Sequence, residues 1–150
     1  MEPTKIGIKT IQDNHKDVMH DMSFDWFGKR LAVVTGNREI KIYKKDEEGG
    51  FVLTSKFMGH SGPIWRVKWA HPDFGSIIAT CSYDKAIIIW EEDEKTVIEN
   101  GEEKKISTWV EKSKPFVKSD SVEDIKFSPK HMGLQIGAVY ADGSVILWDL

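Results

Sequence analysis

A segment of this chain recurs, and a chain that repeats every few tens of residues folds as a row of like units. The clearest copy is GHSGPIWRVKWAHPDFGSIIATCSYDKAIIIW, from Gly59 to Trp90. Moving back 45 residues carries His60 onto His15, and moving back 47 carries Phe74, Gly75, Asp84 and Trp90 onto Phe27, Gly28, Asn37 and Tyr43. Moving forward 58 without a gap carries Trp69, Gly75, Asp84 and Trp90 onto Phe127, Gly133, Asp142 and Trp148. A period of roughly 40 to 45 residues, closing on an aromatic after a short β-run, is the signature of propeller blades. A blade buries its faces against its neighbours and acts as a platform for partners, with no chemistry of its own.

Each copy reads as a series of strands. In the second, Ile64, Arg66 and Lys68 alternate with Trp65, Val67 and Trp69, the period of a half-buried strand. Pro72 and Gly75 break it, because one lacks an N–H and the other permits a turn. Ser76 to Ser82 is a second strand, with Ala79 and Cys81 small enough for a crowded interior. Tyr83 to Ala86 is a tight turn. Ile87 to Trp90 is a third strand, apolar on both faces as blade-on-blade packing requires. The first copy predicts strands at 20–25, 31–35 and 40–43 with an outer strand at 51–57, and the third at 122–127, 134–140 and 145–148. Residues 106–110 supply the outer strand of the second blade, and the charged run EEDEKTVIENGEEKK before it reads as a solvated loop with Asn100-Gly101 as its turn. Lys5 to Lys9 alternate and predict one further strand, and no helix is expected.

The fold expected is all-β, with blade one at about 14–57, blade two at about 59–112 and blade three at about 118–150 lacking its outer strand. A 150-residue chain with 40% hydrophobic and 30% charged residues is an ordinary globular composition. No stretch approaches the roughly 18 uninterrupted apolar residues of a membrane helix. The N-terminal residues lack the apolar core of a secretory signal, and the single Cys81 cannot form an internal disulfide, which points to an intracellular chain. A formal charge of -3 gives no electrostatic footprint for nucleic acid.

His60, Ser82 and Asp84 invite a hydrolase triad. A nucleophilic serine needs an exposed strand-to-helix turn beside an oxyanion hole, and Ser82 ends an interior strand with no GxSxG around it. A fold relay accounts for the set better: Trp90 through a strand hydroxyl, Thr80 or Ser82, to His60 and on to Asp84, satisfying polar groups otherwise buried unpaired. Its parts recur in weaker form as His15, Asn37 and Tyr43 in the first copy and as Asp142 and Trp148 in the third. A catalytic set does not occur as graded copies, so the chain reads as a non-enzymatic scaffold. His15 and His20 lack the Cys pairs or HExxH of a metal site. No catalytic residue, metal or cofactor is expected. Among the six tryptophans, Trp26 and Trp109 fall outside the repeat-equivalent positions, which makes them candidates for partner contact.

HKDVMHDMSFDWFGKRLAVV, the second copy with WAHPDFG, and VEDIKFSPKHMGLQIGAVYADGSV together resemble the WD40 nucleoporins of the Seh type, across roughly residues 14–148. The second copy taken alone is equally similar to the related WD40 subunit of the COPII coat, through GPIW, WAHP and CSYDK, while FSPKHMGL favours the Seh type. The resemblance implies a six-bladed open propeller in the Y-shaped scaffold of the nuclear pore. A helical scaffold nucleoporin would insert strands at the gap beside the N-terminus, where Lys5, Ile6 and Ile8 are the candidate seam residues. It also implies other Y-complex subunits as neighbours and a second place in a GATOR-type complex at the lysosomal or vacuolar surface. The COPII subunit and a peptide-binding signalling adaptor are the alternatives. Three blades do not close a ring, so further chain, or completion by another copy, is expected.

Overall fold

Alternating apolar residues in short runs, each stopped by Gly, Pro or Asn, can bury both faces only by stacking sheet on sheet. The computed structural model describes residues 7–13, 17–115 and 120–150, and shows three such sheets. Blade one is β1 (Met19–Phe24), β2 (Arg30–Thr35), β3 (Glu39–Lys45) and β4 (Phe51–Met58), paired antiparallel in that order. Blade two is β5 (Ile64–Trp69), β6 (Ile77–Ser82), β7 (Ile87–Glu99) and β8 (Glu102–Ser113). Blade three is β9 (Val122–Phe127), β10 (Gln135–Tyr140) and β11 (Val145–Asp149). The first strands pack side by side, β1 against β5 and β5 against β9, while β4 meets β8 at the rim. This is a partial open β-propeller.

The core lies between blades. Ala32, Val34, Ile40 and Ile42 of blade one pack on Ile64, Val67, Ile78, Ile88 and Trp90 of blade two. On the other face of blade two, Ile77, Ala79, Cys81, Ile87 and Ile89 meet Val122, Ile125, Ile136 and Ala138 of blade three. Every residue of β6 is buried. Its odd and even positions serve different interfaces, so a one-residue slip would exchange both sets at once. Each fully buried isoleucine contributes roughly 1.5–3 kcal/mol by transfer from water. That is why the interfaces, and not the pairing within each sheet, hold the blades in a row.

Two elements differ from the sequence reading. The charged run after Trp90 is no loop: β7 and β8 continue together as a two-stranded ribbon, in register to Glu99 opposite Glu102. Asn100 at φ 54° and Gly101 at φ 79° give the turn whose twist matches the strands it joins. Charge marked the segment as solvated, and a ribbon beyond the edge of the core is solvated too; the Asn-Gly pair was the stronger signal. Second, single 3-10 turns form at Pro72–Phe74 and Lys130–Met132. The His71 side chain starts the first, accepting from the Asp73 N–H at 3.2 Å. No helix among the described residues is long and apolar enough to cross a membrane.

Candidate functional site

Blade two is fastened by a chain of side-chain hydrogen bonds. Trp90 Nε1 donates to Thr80 Oγ1 at 2.9 Å, Thr80 Oγ1 lies 2.7 Å from His60 Nε2, and His60 Nδ1 lies 3.0 Å from Asp84 Oδ2. Asp84 also accepts from the N–H groups of Ser61 at 2.9 Å and Ala86 at 2.8 Å. A carboxylate accepts only, which fixes the direction: the Nδ1–H of His60 donates to Asp84, and its Nε2 accepts the Thr80 hydroxyl proton. Every bond is then satisfied by a neutral ring. The chain ties the segment before β5 to strands β6 and β7 and to the turn between them.

Of the two hydroxyls open to this role, Thr80 occupies it. Ser82 Oγ is turned away, donating to the carbonyls of Gly62 at 3.0 Å and Pro63 at 2.7 Å. Ser82 is fully buried, and His60 is not among its hydrogen-bond partners. By the repeat offsets Thr80 falls on Val33 and Ala138, which carry no hydroxyl. The first and third blades therefore cannot form the relay whatever stands at Asn37, Asp142 or Trp148. Asn37 bonds instead to Thr35 at 2.5 Å and Asp142 accepts from the Ser144 N–H at 2.8 Å. Gly59 completes the blade-two site. A Cβ there would lie 2.3 Å from the Trp90 ring, so the Gly-His pair is a packing requirement.

Burial pushes the His60 pKa below its ordinary 6.5, against the upward pull of Asp84. The unfolded chain takes up the proton first, so stability is full above about pH 6.5 and falls as the pH drops through the window beneath it. Asp84 is also held below the ordinary carboxylate value: burial raises it, and the N–H groups of Ala86 and Ser61 with His60 outweigh that. Its effect belongs to more acid solution. Urea midpoints of the native chain and His60→Gln, measured at about pH 7.5 and pH 5, are expected to converge at the lower pH. Parallel pH slopes for the two proteins would exclude His60 as the cause.

The opposite face of blade one carries a second constellation. Leu31, Val33 and Tyr43 form a small buried cluster with Phe51 against it. Around them Met19, Met22 and Phe24 are 45%, 53% and 51% exposed. A cavity of about 390 Å³ lies over this face, bounded on one side by Lys9, Ile11 and Asp13. Asp13 accepts from Lys41 Nζ at 2.5 Å and from the Tyr43 hydroxyl at 2.6 Å, and Lys9 Nζ donates to the Gly49 carbonyl at 2.6 Å. Burial, with Asp13 and Glu39, drives the Tyr43 phenol upward, so it stays a protonated donor. Residues 7–13 thus run past the face without forming a strand, and Ile8 is 88% exposed. Lys5, Ile6 and His15 lie outside the described residues.

The two singled-out tryptophans part company. Trp26 is 69% exposed, its ring 4.5 Å from that of His71. Trp109, expected at a partner surface, is 8% exposed and stacks on Phe57 at 5.7 Å across the interface of blades one and two. Trp109 lies in the expected outer strand, and what buries it is tertiary: β8 meets β4 there, setting the ring against Phe57 and 5.8 Å from that of Trp69. His20, considered beside His15 for a metal, packs edge-on against Trp65 at 4.8 Å. Sequence reasoning missed Arg30. Its guanidinium donates to Glu92 at 2.6 Å and Ser76 at 2.9 Å, approaches Asp25 at 3.4 Å, and lies 4.6 Å from the centre of the Trp69 ring. Glu92 sits 62 positions away in a run read as solvent-exposed, so no local signal marked the pair.

Four-stranded blades closed by an aromatic, with a histidine relay in one of them, define a WD40-repeat propeller protein. The family model "WD domain, G-beta repeat" matches residues 51–91. Over 142 residues the chain is 39% identical to nucleoporin SEH1-A of Xenopus laevis, and equally to nucleoporin SEH1 of Homo sapiens and of Danio rerio. It is similar to the Seh1-type WD40 nucleoporins over nearly its whole length, and carries the WD repeat itself at residues 51–91. The matches cover 94% of this chain and 38–39% of those relatives, so the chain spans well under half the length of the curated relatives it matches.

Proposed function

We propose that the chain is part of a non-enzymatic scaffold subunit of the nuclear pore, which docks a helical nucleoporin through the free face of blade one. The observation that carries this is the apolar face of Leu31, Val33 and Tyr43, rimmed by exposed Met22 and Phe24, which no other blade covers among the described residues. Blade two shows what such a face takes: another twisted sheet laid against it, aliphatic residues interlocking. Strands supplied by a partner would stack there as a further blade, in trans. The similarity to the SEH1 nucleoporins supports a pore subunit as that partner, and in this proposal it is a helical one. The same face would serve a GATOR-type partner at the lysosomal or vacuolar surface, since one face admits one inserted blade at a time.

Phe24→Asp and Met22→Asp place a charge on the exposed rim without entering the core. Each is expected to weaken binding of a helical scaffold nucleoporin about tenfold, read by titration calorimetry, with the thermal melt of the free chain unchanged. Unaltered binding by both variants, or capture of vesicle-coat subunits in place of nucleoporins, would overturn the reading.

A further inference from the structure

A cavity of about 860 Å³ opens between the outer strands of blade one and the ribbon of blade two. It continues into a smaller one of about 250 Å³, and both are lined by Asp25, Phe27, Arg30 and Ser76. No residue of the free blade-one face lines either. The groove is a separate surface.

Arg30 decides its charge. Asp25 and Glu92, two of the carboxylates in the lining, are both engaged by that guanidinium, and Ser107 donates to the second oxygen of Glu92 at 2.5 Å. Burial would raise the Glu92 pKa, but Ser107 and Arg30 hold it below the ordinary value, so the pair stays ionised and internally satisfied. Lys29, Lys44 and Lys105 line the same cavity and have no ion pair among the described residues. Among the described residues Lys104 pairs with the exposed Glu99, at 3.4 Å. Glu94 is the remaining carboxylate of the described lining. A chain of formal charge -3 therefore carries a groove with a local surplus of cations.

At the narrow end the chemistry changes. Trp26 and Phe27 are 69% and 64% exposed, and Trp26 is steadied by its ring contact with His71. Arg30 already stands over Trp69, so a second cation is repelled there while an uncharged apolar side chain is not. A strip of lysines ending in an aromatic shelf suits an extended chain at about 3.3 Å per residue.

We propose that this groove docks an extended acidic segment of a partner protein, with its carboxylates at Lys29, Lys44 and Lys105 and an apolar side chain on Trp26 and Phe27. A nucleic acid fits less well. Its phosphate density calls for a wider basic surface than Lys29, Lys44 and Lys105 in one groove supply.

The test is fluorescence anisotropy on the full chain with a labelled peptide alternating glutamate with leucine and proline. Its lysine counterpart and a labelled oligouridylate are run beside it. The acidic peptide is expected to bind and the lysine peptide not, with affinity falling as salt is raised. Lys44→Glu with Lys105→Glu is expected to weaken binding about tenfold, and Trp26→Ala about fivefold. Lys126→Glu, on blade three, is expected to leave it unchanged. Circular dichroism confirms that each variant is folded, and Lys44→Gln with Lys105→Gln replaces any charge reversal that is not. Equal binding of both peptides, tighter binding of the oligouridylate, or indifference to the lysine substitutions would overturn the proposal. Because Met22 and Phe24 take no part, Phe24→Asp should bind the peptide normally, which separates this surface from the nucleoporin face.

Discussion

Trp90→Ala is expected to lower the free energy of unfolding by about 4 kcal/mol, the largest effect of any single change considered. The ring is 4% exposed, packs edge-on against Phe57 at 5.0 Å, and fills the space that keeps residue 59 a glycine. Its removal leaves a cavity between blades one and two, which the stiff isoleucines of β3 and β7 cannot close. It also takes away the donor to Thr80. Trp90→Phe separates the two losses, since it keeps most of the packing and removes the N–H; about 1–2 kcal/mol is expected for it. Urea denaturation read by circular dichroism measures both. A Trp90→Ala cost under about 1 kcal/mol would mean that the interface between the first two blades is not the core described above.

Arg30→Ala is expected to cost about 3 kcal/mol. Most of that cost arises on blade two, where Glu92 keeps the Ser107 hydrogen bond and is left with its charge part-buried and its cationic partner gone. The side chains are 24% and 12% exposed, so the pair is only weakly screened by solvent. Arg30→Lys is expected to recover little. An ammonium cannot bond Glu92 and Ser76 together while lying flat on Trp69, as the planar guanidinium does. Adding Glu92→Gln to Arg30→Ala removes the stranded charge and should return roughly half of the loss. If the double variant is as unstable as the sum of the two singles, the coupling is absent and Arg30 contributes by packing alone.

The blades themselves were legible because their signals are local. Period-two alternation, the Pro72 and Gly75 break, and a closing aromatic each lie within a few residues of the structure they cause. The same patterns at 47 and 58 residues' distance mark three blades, and three sheets form. The ribbon was misread because a charge run reports solvent exposure, which loops and protruding hairpins share. Trp109 carries no local sign of burial, because its strand neighbours Ser107 and Glu111 are exposed and the rings that cover it, Phe57 and Trp69, are distant in sequence. The relay was legible to the level of its residue types. Thr80 and Ser82 are two apart on one strand, and which hydroxyl meets the histidine depends on how the segment before β5 crosses β6.

What the sequence alone determined is the kind of unit and its number: antiparallel sheets repeated along the chain, each apolar on both faces and therefore obliged to stack. Backbone and neighbour chemistry suffice for that, because strands, turns and their order are set over short stretches. Only the tertiary structure decided what meets across blades. It put Arg30 between Asp25 and Glu92, turned Trp109 into the core, left Met22 and Phe24 exposed, and joined Lys44 and Lys105 in one groove. Those pairings depend on the angle and offset at which one sheet settles on the next. That geometry is fixed by the summed packing of the interface and is written in no single stretch of residues.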